Sequence, residues 1–226
     1  YLTFSVNTPA QLAIADMLAG AACAQGILAA LVRRGVTNKG SKVETSLLEA
    51  LVDLQFEVLT THLSDGGRRP MRAAQGSAHA YLSAPYGVYR AADGWLAIAM
   101  MPVPRLADLM GLPLPDRWRD DPRTWFTDRD QIRALIAAEI AKRPVADWLA
   151  LFEPADIWCA PVMEWPDLLA HPAFARLGLL QDLQGAAPEV TTTAAPLRID
   201  GARPRCATPS PRVGQHSAAI RAEFGL

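Results

Sequence analysis

The sequence is poor in cysteine, and its cysteines form no motif. Cys23, Cys159 and Cys206 are the only three among 226 residues, and they stand far apart. Structural disulfides need pairs of cysteines, and zinc sites need Cys or His ligands at short spacings. We therefore predict reduced thiols, no metal site and a cytoplasmic location.

The sequence also lacks an excess of charge of one sign. Its formal net charge is −1, so no strong overall field attracts nucleic acid or an anionic membrane, and we expect neither as a partner. The amino terminus shows no basic segment before an apolar stretch, the pattern of a signal peptide, and it begins at Tyr1 rather than at Met. We expect a processed piece, a fragment or the ordered part of a longer protein.

One apolar stretch, from Leu12 to Val32, is long enough to raise the question of a membrane span. It is rich in alanine and contains Asp16 and Gln25, which a membrane span would have to desolvate. These features favour a buried helix of a soluble protein.

Common catalytic signatures are missing as well. The sequence contains no Walker phosphate loop, no GxGxxG turn, no HExxH pair and no GxSxG elbow. Phosphate-loop enzymes, zinc proteases and serine hydrolases of these types therefore have no support. Any chemistry has to come from single polar residues in apolar or flexible surroundings.

The amino-terminal pattern predicts one long helix. Thr8-Pro9 is typical of a helix start, and apolar residues follow helical spacing from Gln11 to Arg34. Gly35 is the predicted stop.

A turn, a short strand and a second helix are predicted next. Residues 38–41 favour a turn and residues 42–45 a strand. Ser46 with Glu49 three residues later is the pattern of a capping box, which begins a helix running toward His62.

The rest of the chain predicts short strands among helices. Residues 87–90 and 95–100 flank the turn Ala92-Asp93-Gly94 as a β-hairpin. The other predicted elements are helices at about 103–111, 128–142 and 144–152, a strand at 157–162, a helix at 166–170 ended by His171-Pro172, a strand at 196–199 and a helix at 217–224.

Asp16 is the first candidate for chemistry, because it is an acid in an otherwise apolar helix. It either faces solvent and helps to cap the first turn, or acts as a nucleophile. The small residues Ala15, Ala19 and Gly20 leave room for a ligand above its carboxylate.

Residues 74–81 are the second candidate, because they form a small, polar and flexible loop ending in an aromatic residue. The loop is either a plain linker or a lid that excludes water from a reactive intermediate. Gln75, Gly76 and Ser77 would form its centre. In the third candidate, the turn at residues 38–42, Lys39 either meets a phosphate or is simply solvated.

The order of several short motifs carries a family resemblance. Asp16 stands ten positions before Gly26-Ile27-Leu28-Ala29-Ala30-Leu31. The motifs that follow in order are Arg33-Arg34, Gly40-Ser41-Lys42-Val43, Ser46-Leu47-Leu48-Glu49-Ala50, Pro85-Tyr86-Gly87-Val88-Tyr89, Ala92-Asp93-Gly94-Trp95, Pro161-Val162, residues 168–172 and residues 214–226. This order resembles the class III CoA-transferases, the formyl-CoA and carnitine CoA-transferase group with its related acyl-CoA racemases. The resemblance covers the carboxyl-terminal part of a family member.

The resemblance implies an α/β fold: part of a Rossmann-like large domain plus a small α+β domain, in an interlocked homodimer. Residues 1–60 would end the first segment of the large domain, and residues 61–80 would be a linker or lid. Residues 81–156 would form the small domain, and residues 157–226 would return to the large one.

The resemblance also implies a chemistry. In this family an aspartate attacks an acyl-CoA thioester, and CoA then becomes bound to the aspartate as a thioester. An acceptor carboxylic acid finally receives the CoA. By this resemblance Asp16 is the nucleophile, and Gln75, Gly76 and Ser77 form the lid. Lys39 would contact CoA, which is a substrate, and no tightly bound cofactor is expected.

Two alternatives stay open. The chain could belong to an acyl-CoA racemase, in which the aspartate works with a histidine that none of the four histidines here matches. It could also be a non-catalytic or partner-dependent fragment, because the family builds most of its CoA site in the amino-terminal part. The expected lid contains a single glycine, Gly76, where the family has a glycine-rich loop.

Overall fold

A computed structural model describes residues 3–5, 8–9, 12–76, 79–185, 189–206 and 208–226. The chain divides into two compact units, Tyr1–Val162 and Met163–Leu226. We describe each unit separately. The finer domain boundaries at residues 60, 80 and 156 stay predictions.

The first unit opens with a short hairpin followed by a long helix. Strands β1 (Thr3–Ser5) and β2 (Thr8–Pro9) pair antiparallel, so the helix start predicted at Thr8-Pro9 is wrong. Helix α1 spans Ile14–Thr37, and Ala13 at its start supplies no side-chain cap. Thr and Pro suit extended backbone at a sheet edge as well as a helix start, which is why the pattern misled.

The predicted end of α1 is also wrong, because the helix continues past Gly35. It stops at Asn38, which adopts the left-handed conformation with φ of 53° and donates its backbone N–H to the Arg34 carbonyl at 2.8 Å. Asn tolerates this conformation better than most residues, and a glycine inside a helix costs only about 1 kcal/mol. The residue that ends the helix, Asn38, therefore lies three positions after the predicted one.

The segment after α1 turns back along the helix and forms no strand, contrary to the prediction for residues 42–45. Val43 lies against Gly26 so closely that a Cβ at Gly26 would come within 2.7 Å of Val43 Cγ1. Helices α2 (Leu47–Leu54) and α3 (Phe56–Ser64) follow. The predicted capping box is confirmed: Ser46 Oγ accepts from the Glu49 N–H at 3.2 Å and donates to Glu49 Oε2 at 2.6 Å.

We call residues 12–64, which contain α1, α2 and α3, the helical arm. The prediction that α1 is a buried helix is wrong: α1 and α3 contain no buried residue, and α2 contains one, Ala50. Helical spacing shows that a face is apolar but not what covers it. By length and composition α1 could cross a membrane, although Asp16 and Gln25 within it weaken that assignment.

The second half of this unit forms what we call the α+β core, residues 84–161. The predicted hairpin is confirmed as β3 (Gly87–Arg90) and β4 (Trp95–Ile98), and β5 (Cys159–Pro161) lies within the predicted strand. The three strands form one antiparallel sheet in the order β3-β4-β5. Val88 stands opposite Ala97, and Ala97 stands opposite Ala160.

Five helices share one hydrophobic core with this sheet, and the three predicted near residues 103, 128 and 144 are confirmed. They are α4 (Val103–Met110), α5 (Asp116–Asp120), α6 (Thr124–Thr127), α7 (Arg129–Ile140) and α8 (Val145–Phe152). Trp148 and Phe152 are fully buried, and Trp148 Nε1 donates to the Ile140 carbonyl at 2.9 Å. Buried aromatic side chains contribute several kcal/mol each to the stability of such a core, and the indole N–H of Trp148 has the hydrogen-bond partner that burial requires.

The described residues of the second unit form three short helices and a hairpin. They are α9 (Trp165–Ala170), α10 (Pro172–Leu177), β6 (Leu180–Leu183), β7 (Val190–Thr193) and α11 (Ser217–Phe224). The final helix is confirmed, whereas the strand predicted at 196–199 is wrong because only an isolated bridge joins Ile199 to Ala202. Asp200 and Gly201 between them have positive φ, which makes a tight turn instead.

Candidate functional site

Asp16 lies in the first turn of α1 and is exposed. In the described part of the chain its carboxylate has no hydrogen-bond or ion-pair partner. A Cβ added at Gly20, one turn further on, would meet no atom within 4 Å. The carboxylate is thus accessible to solvent in the first turn of a long helix, where the positive end of the helix dipole favours a negative charge.

Lys39 lies just past the end of α1 and is exposed. Its backbone N–H donates to Thr37 Oγ1 at 3.4 Å, and its ammonium group has no partner within the described ranges. The neighbouring Lys42 forms an exposed ion pair with Glu44 at 2.7 Å. The turn is held to α1 by Arg33, whose Nη2 donates to Ser41 Oγ at 2.7 Å.

Gln75 and Gly76 lie together at the edge of a cleft of about 620 Å³. The cleft is lined by Ala74, Gln75, Gly76, Val88, Tyr89, Arg90, Trp95, Asp130, Arg133, Ala134 and Ala137. The Gly76 carbonyl accepts from the Val88 N–H at 2.9 Å, so the loop is tied to the outer edge of the sheet. Ser77, the third predicted lid residue, lies outside the described residues.

Arg133 reaches into this cleft from α7 and is buried, with only 7% of its surface exposed. Its Nε donates to the Gln75 carbonyl at 3.0 Å, and its Nη1 donates to the Tyr86 carbonyl. The guanidinium carbon lies 5.0 Å from the centre of the Tyr89 ring. A buried cation needs such partners, because desolvation would otherwise cost several kcal/mol.

Tyr89 is itself buried, and its hydroxyl donates to the Pro85 carbonyl at 2.5 Å. Burial raises the pKa of Tyr89 from 10.0 to about 12, while the Arg133 charge acts in the opposite direction. The phenol therefore stays protonated at neutral pH and acts as a donor.

Sequence reasoning missed Arg129 and Arg133, the two buried charged side chains in the described part of the chain. They stand four positions apart on α7, so they share one face of the helix. That spacing was readable in the sequence, but it is equally typical of a solvated helix face. Within the described residues, no hydrogen bond or ion pair joins Asp16 or Lys39 to the cleft that contains Gln75 and Gly76.

Comparison with known proteins shows which family the sequence matches. The model of CoA-transferase family III matches residues 6–217. The succinate–glutarate CoA-transferase of Agrobacterium fabrum is 28% identical over 95% of this chain and 54% of its own length. The human alpha-methylacyl-CoA racemase is 26% identical over 92% of this chain and 53% of its own length.

Solved structures agree on the fold. A crystal structure of a CAIB/BAIF family protein from Brucella suis superposes with a TM-score of 0.74 at 26% identity, covering 96% of this chain and 57% of that one. The predicted mixed helix-and-sheet class is thereby confirmed. The chain spans about half the length of the curated relatives it matches. Because the family model matches most of its residues, the chain belongs to CoA-transferase family III.

Proposed function

We propose that this chain carries the catalytic aspartate of an enzyme that transfers CoA from an acyl-CoA thioester to a carboxylic acid. The observation that carries the proposal is the position of Asp16, exposed and without a partner in the described residues, in the first turn of α1. A carboxylate held at a helix start, with small residues around it, is open to an incoming thioester. The family match over residues 6–217 supports this chemistry.

The proposed reaction begins with attack of an Asp16 carboxylate oxygen on the thioester carbonyl carbon. The C–S bond breaks, the CoA thiolate leaves, and a mixed anhydride joins the acyl group to Asp16. The thiolate then attacks the aspartyl carbonyl carbon, which releases the donor acid as a carboxylate and leaves Asp16 as a CoA thioester. Covalent catalysis of this kind divides one difficult exchange into easier steps.

The second half reverses these steps with a different acid. The acceptor carboxylate attacks the aspartyl thioester, expels the thiolate and forms a second mixed anhydride. Attack of the thiolate on the acceptor's acyl carbon gives the new acyl-CoA and frees the Asp16 carboxylate. Each anhydride is open to hydrolysis, so the cycle requires that water be kept away.

We propose that much of the site lies outside this chain. Asp16 is exposed and has no partner in the described residues, and the chain spans about half of its relatives' length. We therefore propose that turnover requires the remaining half, supplied by a longer polypeptide or by a partner, in a cytoplasmic homodimer. Substrates are acyl-CoA and a carboxylic acid, with CoA itself as the carried group and no tightly bound cofactor.

The test replaces Asp16 by Asn in a polypeptide of the relatives' length that contains this chain. We expect CoA transfer to fall by at least about 10³-fold, because the amide is a poor nucleophile. Intact mass after incubation with acyl-CoA should show an adduct on the parent protein that hydroxylamine removes, and none on the variant. Asp53→Asn, which changes another exposed aspartate of the helical arm, is the matched control. Persistence of both turnover and adduct in Asp16→Asn would falsify the assignment.

Racemisation is the second candidate function, because the human relative named a racemase is 26% identical over 92% of this chain. A racemase exchanges the α-proton of its acyl-CoA with solvent, whereas a transferase moves CoA to another acid. Incubation with a 2-methylacyl-CoA in D₂O separates the two. Deuterium uptake without CoA transfer would assign the chain to the racemase branch.

A further inference from the structure

The three-stranded sheet of the α+β core has one face that is not fully buried. Side chains alternate between the two faces of a strand, so the buried Leu96 and Ile98 share the inner face. Val88, Ala97 and Ala160 stand opposite one another in register and share the outer face. Val88 and Ala160 are exposed and Ala97 is half-buried, so this outer face is accessible to a ligand.

A pocket of about 550 Å³ lies on this outer face. Its lining includes the small residues Ala97, Ala99 and Ala160 and the aromatic residues Tyr86 and Trp158. Tyr86 precedes β3 and Trp158 precedes β5, and these two strands flank β4. Two strand spacings amount to about 10 Å, so a small cation between the aromatic residues can lie within about 6 Å of both rings.

Trp158 contributes a large aromatic surface to this pocket. Its side chain is 72% exposed, and its indole N–H has no hydrogen-bond partner in the described part of the chain. A single exposed tryptophan is common on protein surfaces. Here, however, the exposed ring lines a pocket together with a second aromatic residue, Tyr86, and this pairing is typical of sites that bind cations.

Two acidic residues, Glu153 and Asp156, line the same pocket and are exposed. Neither forms an ion pair within 4 Å among the described residues. Arg105 donates to the Ala155 carbonyl between them at 2.5 Å, which holds this turn in place. Burial and, second, the Glu153 charge raise the pKa of the Cys159 thiol, which also lines the pocket. The two carboxylates therefore favour a cation in the pocket and disfavour an anion.

We propose that this pocket, with Tyr86 and Trp158 as its aromatic walls and Glu153 and Asp156 as its charges, binds a small organic cation of the alkylammonium class. The alkyl groups of such an ion contact aromatic and alanine side chains, while its charge interacts with the rings and the carboxylates. A metal ion suits the pocket less well, because the described residues include no group of three metal-ligating side chains. The inference does not rest on the proposed function, which uses none of these residues.

The test titrates the full-length enzyme that contains this chain with tetramethylammonium chloride, at an ionic strength held constant with sodium chloride. Saturation-transfer NMR of the methyl signal measures the dissociation constant, which we expect to be on the order of 1 mM because both carboxylates are exposed. The uncharged tert-butanol, of similar shape, should bind at least about fivefold more weakly. Equal binding of the two compounds would show that the pocket recognises apolar groups only and would overturn the proposal.

Variants of the same enzyme locate the bound cation. We expect Trp158→Ala to weaken binding by about tenfold, and Glu153→Gln combined with Asp156→Asn to weaken it by about fivefold. Trp165→Ala is the matched control, because Trp165 is 74% exposed but does not line this pocket, so its dissociation constant should equal that of the parent. Asp16→Asn should leave the constant unchanged as well. Unaltered binding in Trp158→Ala, or weaker binding in Asp16→Asn, would place the cation elsewhere and overturn the assignment.

Discussion

The helical arm and the α+β core belong to one compact unit, but they differ in how far their apolar side chains are buried. In the core, Leu96, Leu106 and Ile132 have no exposed surface. In the arm, Leu28 is 63% exposed and Val32 is 73% exposed, although both lie on a long apolar helix. The core is complete within this chain, whereas the arm presents a surface that the described residues do not cover.

This difference has a consequence for function. The proposed nucleophile Asp16 stands on the uncovered arm, and the loop with Gln75 and Gly76 is fixed to the complete core. A helix that is uncovered in one chain gains its stability from whatever packs against it. We therefore expect the arm to depend on a surface that covers it, which the proposed function assigns to the rest of the enzyme, and the α+β core to fold without that surface.

The largest predicted effect on the free energy of unfolding comes from comparing a substitution in the α+β core with one in the helical arm. We expect Trp148→Ala to destabilise the chain by about 3–5 kcal/mol, because it leaves a large cavity beside Phe152 and removes the shorter of two hydrogen bonds to the Ile140 carbonyl. Val32→Ala, on the arm, should change stability by less than about 0.5 kcal/mol. Urea unfolding followed by circular dichroism measures both. A loss above about 2 kcal/mol for Val32→Ala would mean that α1 is covered in solution, and the comparison would fail.

The next prediction concerns the core alone and its dependence on pH. The pKa of Tyr89 is raised from 10.0 to about 12 in the folded chain, so its contribution is fully present below pH 10 and is lost as pH rises toward 12. The loss should approach about 3 kcal/mol, at 1.36 kcal/mol for each pH unit. Tyr89→Phe should remove this loss and cost about 1 kcal/mol at neutral pH through its missing hydrogen bond.

Urea unfolding at several pH values between 9 and about 12 would measure the effect. Tyr86→Phe is the matched control, because Tyr86 contacts Arg133 through its main-chain carbonyl, which the substitution retains. We expect the control to keep the steep alkaline loss. An unchanged slope in Tyr89→Phe would contradict the assignment of that loss to Tyr89.

The sequence predicted best those features whose causes are local. The capping box of Ser46 and Glu49 and the final helix at 217–224 are confirmed, because their partners lie within one turn of each other. The turn at residues 92–94 likewise joins the predicted strands. The end of α1 was missed because both Gly35 and Asn38 can end a helix, and which one does so depends on contacts beyond the turn.

The fastening of the loop could not be predicted in the same way. Arg129 and Arg133 bond to carbonyls that lie 47 to 58 positions earlier in the sequence. Every residue has a backbone carbonyl, so no pattern of side chains in the sequence indicates which carbonyls these arginines bind. Asp16, in contrast, was found through the order of its neighbours, and its role stays a prediction.

The smallest predicted effect compares two glycines of the arm. A Cβ at Gly20 meets nothing within 4 Å, whereas one at Gly26 would lie 2.7 Å from Val43 Cγ1. Gly20→Ala should therefore stabilise this chain by up to about 1 kcal/mol through helix propensity. Gly26→Ala should gain less or lose, because Val43 has a stiff side chain and must move.

The double variant Gly26→Ala with Val43→Ala decides whether that contact is the cause. Removing the valine methyls should bring back the gain from helix propensity, so the two substitutions should couple by about 0.5–1 kcal/mol in a double-mutant cycle. Urea unfolding followed by far-ultraviolet circular dichroism measures the four proteins. Equal gains at Gly20 and Gly26 in the single variants would show that the segment after α1 does not rest on the helix in solution. The arm would then be open on every face, and its contrast with the α+β core would be sharper still.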